Sequence, residues 1–203
     1  DLDGEIIGGL SFSDSSGIRG GANRGIHIDA LKDGGFSVIK GTSFGNDVSL
    51  NVFDKNGELR AETQLEGSGS NTRSDIIGLS DGNLAVGWYD GNNFEVEKYD
   101  PDANKLKSYQ NGSIDPNRDE TELIELDNGN ILLTWSQNNP VGHVILDSDL
   151  NEVSGTFTKD SDGSRLRDVQ LLDNGDYVMA MRDAQTDGND LRLKRYGQDG
   201  TFK

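Results

Sequence analysis

The sequence predicts an all-β fold built from four similar units, and three observations carry that prediction. A ten-residue pattern, Leu79-Ser80-Asp81-Gly82-Asn83-Leu84-Ala85-Val86-Gly87-Trp88, has counterparts beginning at Leu31, Leu126 and Leu172. Its glycines, at 34, 82, 129 and 175, stand 48, 47 and 46 residues apart, and self-similarity at such a period marks a repeat architecture. The chain also carries 27 glycines beside only 32% hydrophobic residues, which suits many short strands joined by turns better than helices around a thick core.

Each unit reads as four strands in order. In the second unit these fall at 73–79, 83–88, 94–99 and 105–110. The first turn is the Asp-Gly or Asn-Gly step of the repeated pattern, a hairpin signal. Another turn recurs between the third and fourth strands, as Asp54-Lys55-Asn56-Gly57, Asp100-Pro101-Asp102-Ala103, Asp147-Ser148-Asp149-Leu150 and Gly197-Gln198-Asp199-Gly200. Asp, Asn and Gly gather there because such turns need positive φ or side-chain-to-backbone hydrogen bonds. Alternation places Ile131, Leu133 and Trp135 on one face of a strand, with Leu132 and Thr134 on the other. No segment sustains a 3.6-residue apolar period, so almost no helix is expected.

Four strands in about 47 residues is the size of a propeller blade, and a lone blade cannot bury both faces, so each must stack on its neighbours. The expected architecture is a single β-propeller domain over 1–203, with four four-stranded blades near 21–66, 67–113, 114–160 and 161–203. Residues 1–7 match the turn and outer strand at 54–59, and residues 1–10 are expected to complete the last blade and close the ring, which removes open sheet edges. The competing reading makes 1–10 the end of a blade in a longer array.

The pattern Leu-x-Asp-Gly-Asn-x-x-Val-x-Trp, followed by a Phe/Tyr-Asp-x-x-Gly turn, resembles blade-like repeats of large secreted bacterial proteins, among them surface adhesins of the RTX type. The resemblance covers residues 21–203, with Lys40 and Met181 where the pattern has Trp. It implies a secreted or cell-surface protein with a ligand-contacting or spacer role, and names no ligand.

Composition excludes several classes. With no Cys there is neither a disulfide framework nor a thiolate metal site. A formal net charge of -17 repels nucleic-acid phosphates and anionic membranes, so neither is expected as a partner. No apolar run is long enough to insert across a bilayer. His27 and His143 fall in different units without a triad-like context and read as ordinary strand histidines.

Three groups of residues could carry chemistry. Arg24, Arg73, Arg118 and Arg167 each stand at or just before an inner strand, and in a propeller they would ring one mouth of the central channel. Four guanidinium groups could grip a ligand carboxylate or sulfate; the plainer alternative is pairing with Asp75, Asp119 or Asp168. Trp88, Tyr89 and Asp90 offer a sugar-binding aromatic and its neighbours, against the reading that the repeated Trp packs between blades. Asp183, Asp187 and Asp190, in one long loop, are the first choice for a bound calcium ion, although Asp and Asn also serve simply as turn residues.

The expected function is a non-catalytic module that binds carbohydrate or peptide, with a spacer packed against neighbouring domains of an adhesin as the alternative. A glycosidase or lyase is least supported, because carboxylate pairs are too numerous for sequence to single one out.

Overall fold

The computed structural model of the chain describes residues 26–41, 48–65, 74–89, 93–112, 121–136, 141–153, 158–160, 165–182 and 190–203, and within them every regular element is a strand. The first sheet is β1 (Ile26–Ala30), β2 (Phe36–Gly41), β3 (Val48–Phe53) and β4 (Leu59–Leu65), paired in chain order. The second holds β5 (Ser74–Gly78), β6 (Leu84–Tyr89), β7 (Phe94–Tyr99) and β8 (Lys105–Asn111). The third holds β9 (Thr121–Glu125), β10 (Ile131–Ser136), β11 (Val141–Leu146) and the short β12 (Thr158–Asp160). The fourth has three described strands, β13 (Arg165–Leu171), β14 (Tyr177–Arg182) and β15 (Leu191–Tyr196), and beyond them a single bridge from Tyr196 to Phe202. All pairings are antiparallel between consecutive strands, so each sheet is a meander.

The repeated pattern sets the first hairpin of every sheet. Leu79 N–H donates to the Asn83 carbonyl and Gly82 N–H to the Leu79 carbonyl, and the same pair of bonds recurs from Leu31, Leu126 and Leu172. Gly34, Gly82, Gly129 and Gly175 all sit at positive φ, between 80° and 93°, where a side chain is disfavoured. The second turn uses the same bonds, starting from Asp54, Asp100, Asp147 and Gly197. Its positive-φ position is glycine at Gly57 and Gly200 but Ala103 and Leu150 in the middle sheets. Asp54, Asp100 and Asp147 accept backbone N–H bonds across this turn, so these aspartates build turns.

Stacking follows from alternation. Ile131, Leu133 and Trp135 join a core with Phe94 and Val96 of the second sheet, while Leu132 on the opposite face joins a core with Tyr177 and Met179 of the fourth. A third core joins Val48, Leu50 and Val52 of the first sheet to Leu84, Val86 and Trp88 of the second. The inner strands meet closely: a Cβ on Gly78 would collide with the Ala30 carbonyl, so Gly78 lets β5 approach β1.

The sheets stack in chain order as an all-β, propeller-like assembly. Among the described residues no comparable core joins the fourth sheet to the first. The expected closing strand at 1–10 lies outside the described residues.

Candidate functional site

The first and second sheets touch at their inner strands and part toward the outer rim, where they border an open cavity of about 400 Å³. Thr63 and Gln64 of β4 line one wall, and Glu95, Glu97 and Tyr99 of β7 line the other. Ala103 and Lys105 border it from the following turn and β8, and Trp88 also lines it.

Register explains why these side chains converge. Trp88 pairs with Glu95, Val86 with Glu97 and Leu84 with Tyr99, so all six project from one face of the second sheet. Thr63 stands opposite Leu50 on the face of the first sheet that packs against them.

The polar groups are held in place. Glu97, buried at 7% exposure, takes a hydrogen bond from the Tyr99 hydroxyl and an ion pair from Lys105 Nζ at 2.8 Å. Burial, and then the adjacent Glu97 carboxylate, push the Tyr99 hydroxyl well above its ordinary range, so it remains a protonated donor. Glu95 Oε1 accepts from Gln110 Nε2 at 2.6 Å. Trp88 is buried, and its indole Nε1 finds no hydrogen-bond acceptor among the described residues. The cavity is therefore walled by carboxylates, an amide, hydroxyls and a cation, and bordered by the Trp88 indole, whose N–H is buried.

The neighbouring interface shows what the repeat does when it leaves no space. Tyr109 stands at the position of Thr63, opposite Val96 as Thr63 is opposite Leu50. Val144 takes the place of Glu97, Gly142 of Glu95 and Leu146 of Tyr99, by their shared pairing with the Trp-bearing strand. Leu150 replaces Ala103 at the same positive-φ turn position. Tyr109, Val144, Leu146 and Leu150 pack into one core with Trp135.

The residues expected to carry function fall differently. Arg24, Arg73 and Arg118 lie outside the described residues, as do Asp90, Asp183 and Asp187. Arg167 is exposed in β13 where the register shifts between Leu166 and Asp168. Asp190 is exposed just before β15, and no cluster of three metal-ligating side chains occurs among the described residues. Trp88, at 2% exposure, is a buried residue rather than an open platform, and Tyr89 packs partly buried against the core of the second and third sheets. Inspection of single motifs misses Glu95, Glu97 and Thr63, whose signal is a departure from the repeat and shows only when the units are aligned on their turns.

His143 is the one histidine built into a core. It lies edge-on to Tyr177 and Tyr196, with ring centroids 5.7 and 4.7 Å away, and burial lowers its pKa to about 4. His27 Nδ1 lies 3.4 Å from Asp75 Oδ1 at the junction of the first two sheets.

No family model matches the chain, and no curated protein matches it. Solved structures do share its fold. A putative 6-phosphogluconolactonase from Bacteroides uniformis superposes with TM-score 0.56 at 13% identity, over 87% of this chain and 54% of that one. A putative exo-β-1,3-galactanase from Bifidobacterium bifidum gives TM-score 0.51 at 13% identity, over 90% of this chain and 71% of that one. Virginiamycin B lyase from Staphylococcus aureus gives 0.52 at 15% identity, over 85% and 55%. The chain thus spans between 54% and 71% of the length of these three solved chains. They correct one expectation. The reading of the chain as non-enzymatic rested on the want of a catalytic constellation in sequence, yet the fold it adopts is one used by galactan-cleaving enzymes and a lyase. At these identities the likeness is one of fold. No helix among the described residues is long and apolar enough to cross a membrane.

Proposed function

We propose that each sheet is one blade of a propeller and that the chain binds a carbohydrate in the cavity between the first and second blades. The observation that supports this reading is the contrast between two like interfaces. Where the second and third sheets meet, the repeat supplies Tyr109, Val144 and Leu150; where the first and second meet, it supplies Thr63, Glu97 and Ala103. Thr63 and Ala103 are smaller than Tyr109 and Leu150, and on β7 the carboxylates of Glu95 and Glu97 stand where Gly142 and Val144 stand, so the space and its polar wall are a local departure from the repeat.

The chemistry of the walls suits a neutral, hydroxyl-rich ligand. Carboxylates and amides accept and donate to sugar hydroxyls. The strongly negative chain disfavours an anionic ligand. A β-1,3-linked galacto-oligosaccharide is a reasonable first probe, because the exo-β-1,3-galactanase from Phanerochaete chrysosporium, solved with β-1,3-galactotriose, shares the fold at TM-score 0.53 and 13% identity, over 98% of this chain and 52% of that one. A secreted or cell-surface setting is part of the same proposal and accords with the repeat resemblance.

The test is a glycan array followed by calorimetry on the chain and on Thr63→Tyr, which builds the second interface's residue into the first. Binding by the parent chain and a loss of at least tenfold in Thr63→Tyr, with an unchanged circular dichroism spectrum, is the expected result. Equal binding by both proteins, or no glycan bound, overturns the site. Hydrolysis of the same glycans is followed in parallel, since the fold is shared with glycosidases.

A further inference from the structure

The three interfaces between consecutive sheets share a bond as well as a core. Asp75 Oδ2 in β5 accepts from the Leu123 N–H of β9 at 2.7 Å, and Glu122 Oε2 in β9 accepts from the Val169 N–H of β13 at 2.9 Å. Asp29 Oδ2 in β1 accepts from the Gly78 N–H of β5 at 2.7 Å. In each case a carboxylate on one inner strand holds the backbone of the next. Asp75 and Glu122 both stand four residues before the leucine of the first turn, and the fourth sheet has Asp168 there. Asp168 is exposed, and its carboxylate makes no hydrogen bond or ion pair with the described residues.

The apolar faces tell the same story at both ends. On the third sheet, Val141, His143 and Ile145 face the fourth and are buried. Their counterparts on β15 are Leu191, Leu193 and Arg195, and the two leucines are 68% and 62% exposed. On the second sheet, Ser74 and Ile76 are buried on the face that meets the first. Their counterparts on β1 are Ile26 and Ile28, at 54% and 64% exposure. Among the described residues there is therefore one unmated face of each kind, together with one unmated latch carboxylate. These are the two halves of an interface that the molecule already makes three times.

We propose that a second copy of this chain covers these faces, head to tail, with the fourth sheet of one protomer stacked on the first sheet of the next. By the contacts made within the chain, Leu193 meets Phe36 and Phe53 of the next copy, as its counterpart His143 meets Tyr177 and Tyr196. Leu191, Ile26 and Ile28 are covered in the same contact, and Asp168 accepts from a backbone N–H of the next copy's β1, as Asp75 and Glu122 accept from β9 and β13 within the chain. The contact is heterologous, so it extends the stack and closes wherever the accumulated rotation returns to the start. The solved chains of this fold are longer than this one, so in them more polypeptide accompanies the part that corresponds to these four sheets.

Sedimentation and light scattering on residues 1–203 test it. The expected result is concentration-dependent association beyond the monomer. Leu191→Asp with Leu193→Asp removes one face, Ile26→Asp with Ile28→Asp removes the other, and each double variant alone is monomeric. Mixed together they form a dimer, because each keeps the face that the other lacks. Asp168→Ala weakens association about tenfold. All substituted positions are exposed, and circular dichroism verifies that each variant is folded. A parent chain that is monomeric at its highest soluble concentration overturns the proposal, as it would if residues 1–25 or a different protein covered these faces. A mixture that stays monomeric overturns it equally.

Discussion

Between the second and third sheets, Trp135 is sealed at 0% exposure among Val144, Leu146, Leu150 and Tyr109. Between the first and second, its counterpart Trp88 lines a cavity whose walls carry Thr63, Glu97 and Ala103 instead. The strand, the turn and the tryptophan are the same in both places. What differs is the outer half of each interface, and the difference runs from complete packing to an open, polar space. The repeated inner strands and turns maintain the stack, while the outer strands are free to vary without dissolving it.

The largest expected consequence is a difference between two identical substitutions. Trp135→Ala leaves a void in a closed core and is expected to cost about 3–5 kcal/mol, because the loss grows with the residual cavity. Trp88→Ala enlarges a space that already opens to solvent, and its cost falls at the lower end, about 3 kcal/mol. Urea denaturation with unchanged m-values measures both. Equal losses would remove the distinction between the filled and the hollow interface. Gly87 shows how tight the filled side is: a Cβ there would lie 3.1 Å from the Phe94 ring and 3.2 Å from Leu123.

The third interface adds a case in which packing closes around a titratable group. His143 is buried between the sheets beside Tyr177 and Tyr196, and its pKa falls to about 4 because burial disfavours the charged ring. In the unfolded chain the same group titrates near 6.5. Between those values the unfolded state holds more protons, so the contribution is complete above the higher value and is lost as pH falls toward the lower. The difference amounts to up to about 3 kcal/mol. His143→Phe is expected to flatten the loss of stability between pH 7 and pH 4 relative to the parent. Parallel profiles for the two proteins would show that His143 is not titrating in a closed core.

Much of the stack is legible in sequence for a physical reason. The turns demand specific residue types at specific φ, and the buried faces demand a period of two, so Leu79 to Trp88 and its counterparts announce both at once. Ile131, Leu133 and Trp135 face one neighbour and Leu132 the other, as alternation requires. The cavity is harder to read because no motif encodes it. Glu97 looks like any strand carboxylate until Val144 is set beside it, and Thr63 like any edge residue until Tyr109 is. Arg24, Arg73 and Arg118 recur in sequence, but they lie outside the described residues, and Arg167 follows an irregular register. Recurrence locates the scaffold; departures from it locate the space.

A finer version of the comparison turns on a single backbone position. Leu150 and Ala103 occupy the same turn site with φ of 62° and 58°, a left-handed conformation that costs a side-chain-bearing residue about 1–2 kcal/mol. At the filled interface the leucine side chain is buried in the core with Trp135 and offsets that strain. Leu150→Gly relieves the strain but forfeits the packing, and the net loss is expected to be about 2 kcal/mol.

At the hollow interface the balance reverses. Ala103 borders the cavity with only a methyl group, so there is little packing to lose when it becomes glycine. Relief of the left-handed backbone outweighs the added flexibility of the unfolded chain, roughly 0.5–1 kcal/mol. Ala103→Gly is therefore expected to raise stability by less than about 1 kcal/mol, read as a small increase in the urea midpoint at constant m-value. The opposite sign at two positions with the same φ is the sharpest form of the contrast. If Ala103→Gly destabilised the chain as Leu150→Gly does, the methyl group would be doing at the first interface what the leucine does at the second, and the rim would have to be packed rather than open.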